Sequence, residues 1–356
     1  MQCLREFSAS ALLAVGMLLV ATVAASTPVQ KDSTVINTLF AQTKPQCIGR
    51  YVIDVPGSFN NQLHDMVFID EFRIESKPLY PPAFKQRVQS REQALRDAIN
   101  NPENDPKDAP FIKEIITLPE GKGVIFDSNR SGSDDLYRRL EGHVYVNGIS
   151  FIITTDIRDF SAPKYKERKA EYLKTSTEEQ TNTKPAKLAA MLSLISRLSG
   201  RKDEDIPPAK GVCIPNGFIR DDGGKHREKI TFSYENDDFI LGVYTNNTYT
   251  GSNDTLFNRT AEIDKTLKIA GQHTIKKYAL SPGGVQAQAW LSGGPQTVKN
   301  NVIPLYEFDL YANEADATPT KPWLAMGINN FDKTTRYSEK QMIEIWDRLV
   351  NSLRYK

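Results

Sequence analysis

From Cys47 onward the chain alternates short β-prone runs with stretches whose apolar residues recur every three or four positions, broken by Gly, Pro and Asn-Gly. In the first half a strand-like run over 66–75 leads through Pro81-Pro82 into a predicted helix over 83–100. Its apolar residues Phe84, Val88, Leu95 and Ile99 share one helical face, and the prolines suit the first turn. In the second half, runs over 229–234 and 238–244 precede a helix over 255–270, striped by Leu256, Ile263, Leu267 and Ala270 and ended by Gly271. Strands return after each helix: 111–118 and 124–127 around a Pro-Glu-Gly-Lys-Gly turn, and 274–280 and 285–291 around Ser-Pro-Gly-Gly. Asn147-Gly148 joins 142–146 to 149–155, a strong hairpin signal. In the second half 302–311 alternates, with Tyr306, Phe308 and Leu310 on one face, and 323–328 follows.

Each half closes on a helix. Leu188, Met191, Leu192, Ile195 and Leu198 form one apolar stripe, with Gly200 as its expected terminator. Met342, Trp346, Leu349, Val350 and Leu353 form the other, opened by a Ser338–Gln341 capping-box pattern. The same order of elements in both halves predicts an α+β protein of two tandem similar modules. Each would be an antiparallel sheet with two helices on one face. The expected divisions are a polar leader over 26–44 with a short helix near 35–40, an N-terminal domain over 45–205 and a C-terminal domain over 206–356. The charged run 201–205 and Pro207-Pro208 read as the linker between them.

Residues 1–25 read as a secretory signal: Arg5 near the start, an apolar run over 11–23, and Val23-Ala24-Ala25 for cleavage after Ala25. The run is too short for a membrane span of ~20 residues, so no anchor is expected after cleavage. Cys3 leaves with the signal, and the mature chain keeps Cys47 and Cys213. In an oxidising compartment these either pair as a disulfide or stay as two buried thiols.

The 45 Lys and Arg against 44 Asp and Glu give a net charge of +1, so the basic excess that nucleic acid demands is missing. No Gly-x-Ser-x-Gly elbow, His-Glu-x-x-His or Gly-x-x-x-x-Gly-Lys loop occurs. Asp127, Asn129, Ser131, Ser133 and Asp135 mimic the start of an EF-hand loop, but its twelfth position is Arg138 and its flanks read as strands. His64, His143, His226 and His273 stand apart from any nucleophile pattern, and His226 reads as part of a solvated turn. No catalytic residue, cofactor or metal site is expected, and the chain reads as a binding protein.

The opening Cys47-x-Gly49-Arg50-Tyr51-x-Ile53-Asp54-x-Pro56, with Gly211-x-Cys213-Ile214-x-Asn216-Gly217-Phe218-Ile219 in the second half, resembles a known family. It is similar to the immunity proteins that neutralise lipase effectors of bacterial type VI secretion, specifically the fourth lipase-immunity family, across both family domains. The resemblance implies a periplasmic protein that forms a 1:1 complex with a cognate phospholipase effector and blocks membrane-lipid hydrolysis. It implies a structural role for the motif residues and transfers no contact positions. Tyr80 and Phe84, with Tyr249 and Phe257, lie before or at the start of the first helix of each half and are the candidate partner contacts. On their helices Phe84 and Phe257 also fit a core role. A periplasmic ligand-binding module and an envelope-assembly protein are the alternative readings.

Overall fold

The computed structural model describes residues 28–61 and 66–356. The signal expected over 1–25 and His64 lie outside the described residues. Among these, a single antiparallel sheet of 13 strands runs through both halves of the chain. At its centre Val67–Ile69 pairs with Glu228–Glu235 through Ile69↔Glu228, Phe68↔Lys229 and Val67↔Ile230, and the two-residue strand Asn60–Asn61 pairs with the other end of that strand at Tyr234 and Glu235. Outward on one side run Phe72–Pro78, Ile149–Arg158, Tyr137–Val146, Gly123–Asn129 and Ile112–Thr117. Outward on the other run Ile240–Asn246, Trp323–Asn329, Asn301–Ala312, Ala287–Val298 and His273–Leu280. The expectation of one sheet per half is therefore corrected: the two half-sheets share an edge. Apolar alternation marks a strand as half-buried, but it does not name the strand that will sit beside it.

The predicted run over 66–75 is two strands, because Asp70 turns the chain at φ 54 between Val67–Ile69 and Phe72–Pro78. The first helix is Pro81–Arg96 with a 3₁₀ continuation Asp97–Asn100. Its counterpart is a 3₁₀ turn Leu256–Arg259 leading into Thr260–Ile269. The closing helices are Lys184–Arg197 and Glu339–Asn351, the latter opened by the Ser338–Gln341 capping box. Gly200 does not terminate a helix; it belongs to a short strand, Leu198–Gly200.

The two helices of a half lie on opposite faces of the sheet. Phe84 stacks on Tyr145 at 5.1 Å, and Arg91 grips Glu141. Met191 instead meets the other face, where a Cβ on Gly142 would lie 3.4 Å from its sulfur. Glu141 and Gly142 are consecutive, so they point to opposite sides. In the second half Trp346 packs on Phe308, 6.2 Å between rings, while Leu267 is buried with Trp290. Trp290 pairs with Asp309, the residue after Phe308, so the same division holds. The expectation of both helices on one face is thus overturned. An amphipathic stripe says that a helix buries one side without saying which face of a sheet it meets.

The opening segments cross between halves. Thr43–Ile48 and Tyr51–Pro56 form a hairpin whose third strand is Arg354–Tyr355 at the far end of the chain. Gly211–Ile214 and Gly217–Arg220 form a second hairpin, and it pairs with Leu198–Gly200 of the first half. Each opening hairpin thereby packs beside a closing helix of the other half. The leader joins this arrangement as the Pro28–Leu39 helix, whose Ile36 is fully buried in the core and whose Asn37 accepts from Arg348 at 2.7 Å. That helix is longer than the short one expected near 35–40.

The hairpins meet back to back. Gly49 and Cys213 exchange backbone hydrogen bonds of 2.9 and 2.8 Å, and Cys47 is joined to Cys213 by a disulfide, Cα–Cα 5.7 Å. Gly49 adopts φ +58, and a Cβ there would come 2.7 Å from the Thr245 hydroxyl, so both backbone and space favour glycine. Residues 201–205, read as linker, are locked in place. Arg201 is buried and its guanidinium donates to the carbonyls of Gly217, Lys202, Asp205, Cys47 and Ile214, between 2.7 and 3.3 Å. Burial works against its charge, and five acceptors compensate.

The disulfide closes a span of 166 residues, for which the chain-entropy relation gives about 5 kcal/mol. Reduction, or the double change Cys47→Ser and Cys213→Ser, is expected to lower unfolding free energy in urea by several kcal/mol. Peptide mapping without reductant should recover the linked pair. Two free thiols in exported protein would contradict this.

Candidate functional site

Because the first helices cover only the outer strands of one face, the middle of that face is left open between them. Its side chains follow from strand alternation. On Glu228–Glu235, Ile240–Asn246 and Trp323–Asn329 every second residue is buried toward the closing helices, and the intervening ones face the opposite way. The outward set includes Lys229, Thr231, Gly242, Tyr244, Ala325 and Gly327 on the second half. Arg73 and Glu75, ion-paired at 3.1 Å, face outward on the first. Phe68, 37% exposed, lies at the seam beside Lys229 and Arg73.

Tyr80 is the N-cap residue of the Pro81–Arg96 helix and stands 83% exposed at one rim of this face. Tyr249 lies at the other end of the face, its ring 5.7 Å from Trp323. Phe84 is buried against Tyr145, and Phe257 is half-buried against Leu256, Leu267 and Trp290. Of the four candidate contacts Tyr80 is exposed, Tyr249 and Phe257 are half-buried, and Phe84 is buried.

Around Tyr249 the structure gathers residues that the sequence reading missed. Trp323 stacks on Tyr311 at 5.7 Å and meets Tyr244 edge-on at 5.7 Å. Beside them Glu307 and Asp309 project from Asn301–Ala312 on the face opposite Tyr306, Phe308 and Leu310. The available signal was the polar half of the alternation already noted: two carboxylates and a tyrosine at every second position in a strand that is otherwise buried.

The polar clusters elsewhere are structural. Glu141 receives hydrogen bonds from Arg91 and stands 2.6 Å from Nε2 of the buried His143. Burial opposes its charge, but His143 and Arg91 outweigh it and hold the carboxyl down to about 2. The EF-hand-like segment puts Asp127 in the core, where Lys184 at 2.7 Å and Arg138 at 3.2 Å neutralise it. Among the described residues no group of three or more His, Cys, Asp or Glu is placed to hold a metal ion. His273 lies exposed at the start of an edge strand.

His226 is no free turn residue. Its Nδ1 lies 2.7 Å from Asp70 of the first half and its Nε2 3.0 Å from Asp222 of the second, beside the central strand pairing. A charged imidazole donates from both nitrogens, so this geometry suits the imidazolium. Partial burial and Arg197 disfavour its charge, yet the two carboxylates prevail and raise its pKa above 6.5.

These features define an α+β protein of two cross-linked halves with an open sheet face, and no catalytic constellation is assembled among the described residues. The chain belongs to the family of Tle cognate immunity protein 4, its N-terminal domain model matching residues 44–201 and its C-terminal domain model residues 205–356. Members of this family are immunity proteins, not enzymes. Solved structures share the fold. The apo immunity protein TplEi of the type VI secretion system of Pseudomonas aeruginosa is 18% identical, with TM-score 0.65 over 88% of this chain and 97% of that one. TplEi complexed with "L" peptide gives TM-score 0.61 at 18% identity over 88% and 98%. The Tle4-Tli4 complex gives 0.64 at 18% identity, with the same coverage of 88% and 98%. No curated protein sequence matches the chain.

The His226 contacts have a pH signature. A raised folded-state pKa adds stability that is fully present below the unfolded value, near 6.5, and is lost as pH rises through the folded value. His226→Gln is therefore expected to lower the urea midpoint clearly at pH 5.5 and less at pH 8.5. A deficit that is equal at both values, or larger at pH 8.5, would contradict the charged bridge.

Proposed function

We propose that this chain is exported through a signal cleaved after Ala25 and, in the periplasm, holds its cognate type VI lipase effector against the open sheet face in a 1:1 complex. Among the described residues no helix is long and apolar enough to cross a membrane. Cys47 and Cys213 suit an oxidising compartment. The observation that carries the reading is the open face itself, a broad polar and aromatic surface framed by two helices with an exposed tyrosine at one rim. A stable complex needs an interface on the order of 1,600 Å² with a few aromatic or Arg anchors, and Tyr80, Tyr249 and Trp323 supply aromatic anchors on this face. A lipase must open to reach lipid, so a partner that holds the closed form or covers the entrance abolishes turnover without chemistry of its own.

The repeated strand order supports a further element of this reading, that the halves are one module used twice. In each, the strand next to the central one is followed outward by the last strand that half gives to this sheet, and the remaining strands then run in reverse chain order to the edge. A duplicated binding module presents two similar rims, and Tyr80 and Tyr249 stand at corresponding places before the first helices.

The test is a pull-down and phospholipase assay of residues 26–356 with the cognate lipase, in inactive form for binding and active form for inhibition. A stoichiometric complex that abolishes lipid hydrolysis is expected, and no complex between two folded proteins would overturn the reading. Tyr80→Ala is expected to weaken binding about tenfold or more, as for an aromatic anchor. Its stability should change within about 0.5 kcal/mol, because the side chain is exposed. Tyr249→Ala should weaken binding similarly, with a small loss of stability from its Trp323 contact.

A further inference from the structure

The second-half side of the open face holds a carboxylate that the fold leaves unmatched. Asp309 lies in a cross-strand row with Trp290, Gly327 and Gly242. Gly327 has no side chain to crowd it, since a Cβ there would come 2.8 Å from the Asp309 Oδ1. At Gly242 a Cβ would meet nothing within 4 Å. The two glycines therefore form the floor of a furrow across the sheet, with the carboxylate at one end. The next row along the strands is Tyr311, Ala325 and Tyr244, and Trp323 from the row beyond packs against both tyrosine rings, so that the three rings form an aromatic wall. On the opposite side stands Glu307.

Other recessed carboxylates are neutralised within the chain: Glu228 by Arg50, Glu141 by Arg91, Asp127 by Lys184 and Glu314 by Arg259. Asp309 has no ion pair or side-chain hydrogen bond among the described residues. The nearby cations are engaged elsewhere, Lys277 over the Trp290 ring at 4.7 Å and Arg259 with Glu314 and over Tyr311. Burial, with Glu307 beside it, pushes the Asp309 carboxyl up to about 7. An acid left desolvated and unmatched destabilises the free protein, and an arriving cation relieves that cost.

We propose that this furrow receives a lysine or arginine side chain of the lipase, its charged head pairing with Asp309 and its stem lying along Gly327 and Gly242 against the aromatic wall. The assignment rests on the immunity reading above and names one contact within it. A basic side chain satisfies every feature at once. It brings positive charge to an unmatched carboxylate, N–H donors for hydrogen bonding, and an alkyl stem for a floor without side chains. It also gains attraction from the faces of Tyr and Trp rings. A quaternary ammonium headgroup lacks the N–H donors, and an anion would be repelled by both acids.

The test compares affinities for the inactive lipase of the wild-type chain, Asp309→Asn, Gly242→Leu and the control Asp316→Asn at an exposed position, alongside thermal unfolding of each. Asp309→Asn is expected to bind about 30-fold or more weakly, the effect of removing one partner of a desolvated charge pair. Its melting temperature should be unchanged or higher, since an unmatched acid has been removed. Gly242→Leu, which fills the furrow, should lose binding comparably, while Asp316→Asn stays at the wild-type affinity. Among alanine variants of the lipase's Lys and Arg residues, one should lose affinity for the wild-type chain but not lose more for Asp309→Asn. Wild-type binding with Asp309→Asn and Gly242→Leu both within threefold of it would overturn the furrow assignment alone. Failure of the wild type itself to bind would overturn the immunity reading and the assignment with it.

Discussion

The crossing of the two opening hairpins is the constraint on which the rest of the molecule depends. Residues 43–56 are the first ordered strands of one half, yet they complete a small sheet with the last strand of the other. Residues 211–220 make the reciprocal exchange with Leu198–Gly200. The Cys47–Cys213 disulfide, the Gly49–Cys213 backbone pair and the five hydrogen bonds of Arg201 tie the exchange at its centre. Without that tie the two half-sheets would be joined chiefly by the short pairings of residues 67–69 with 228–230 and of 60–61 with 234–235. Antiparallel contacts of two or three residues on each strand are a weak hinge by themselves. Arg50 adds to the tie from the first hairpin, reaching both Glu228 of the central strand and Asp221.

In the proposed complex, the cross-linked centre is what suits the open face to a partner. Two lobes free to swing would pay for ordering each time they met a partner, whereas a fixed face keeps that entropy out of the binding free energy. In the same reading, the placement of the helices decides which face the partner meets. The closing helices fill one side of the sheet with Met191, Leu194, Trp346 and Leu349, which is the core. The first helices cover only the outer strands of the other side, leaving a floor between two walls. The charge pattern follows the same logic. Carboxylates needed for the fold have cations beside them, and the one on the floor does not.

Much of this was legible in the sequence, for definite reasons. Periodicity located the helices and most strands because burying one face imposes a repeat of 3.6 or 2 whatever the partner is. The Ser338–Gln341 capping box and the Asn147-Gly148 turn are local chemistry, and local chemistry is written in adjacent residues. What could not be read was everything that depends on which surfaces meet. Residues 201–205 read as a charged linker because nothing beside Arg201 in sequence marks it as buried; three of its five acceptors, the carbonyls of Cys47, Ile214 and Gly217, come from the two hairpins joined by the disulfide. His226 looked solvated among Lys225, Arg227 and Glu228, whereas one of its partners, Asp70, lies 156 residues away. Asp309 looked like the polar half of an ordinary half-exposed strand, and only the register that sets it against two glycines makes it unusual.

The most direct measurement of the central claim is hydrogen–deuterium exchange of the mature chain, alone and with the inactive cognate lipase, read peptide by peptide. The account predicts new protection concentrated in the strands Ile240–Asn246 and Trp323–Asn329 and around Tyr80 and Tyr249. The outer surfaces of the helices Lys184–Arg197 and Glu339–Asn351 should exchange as before. Protection confined to those closing helices, with the open face unchanged in a complex that forms, would contradict it.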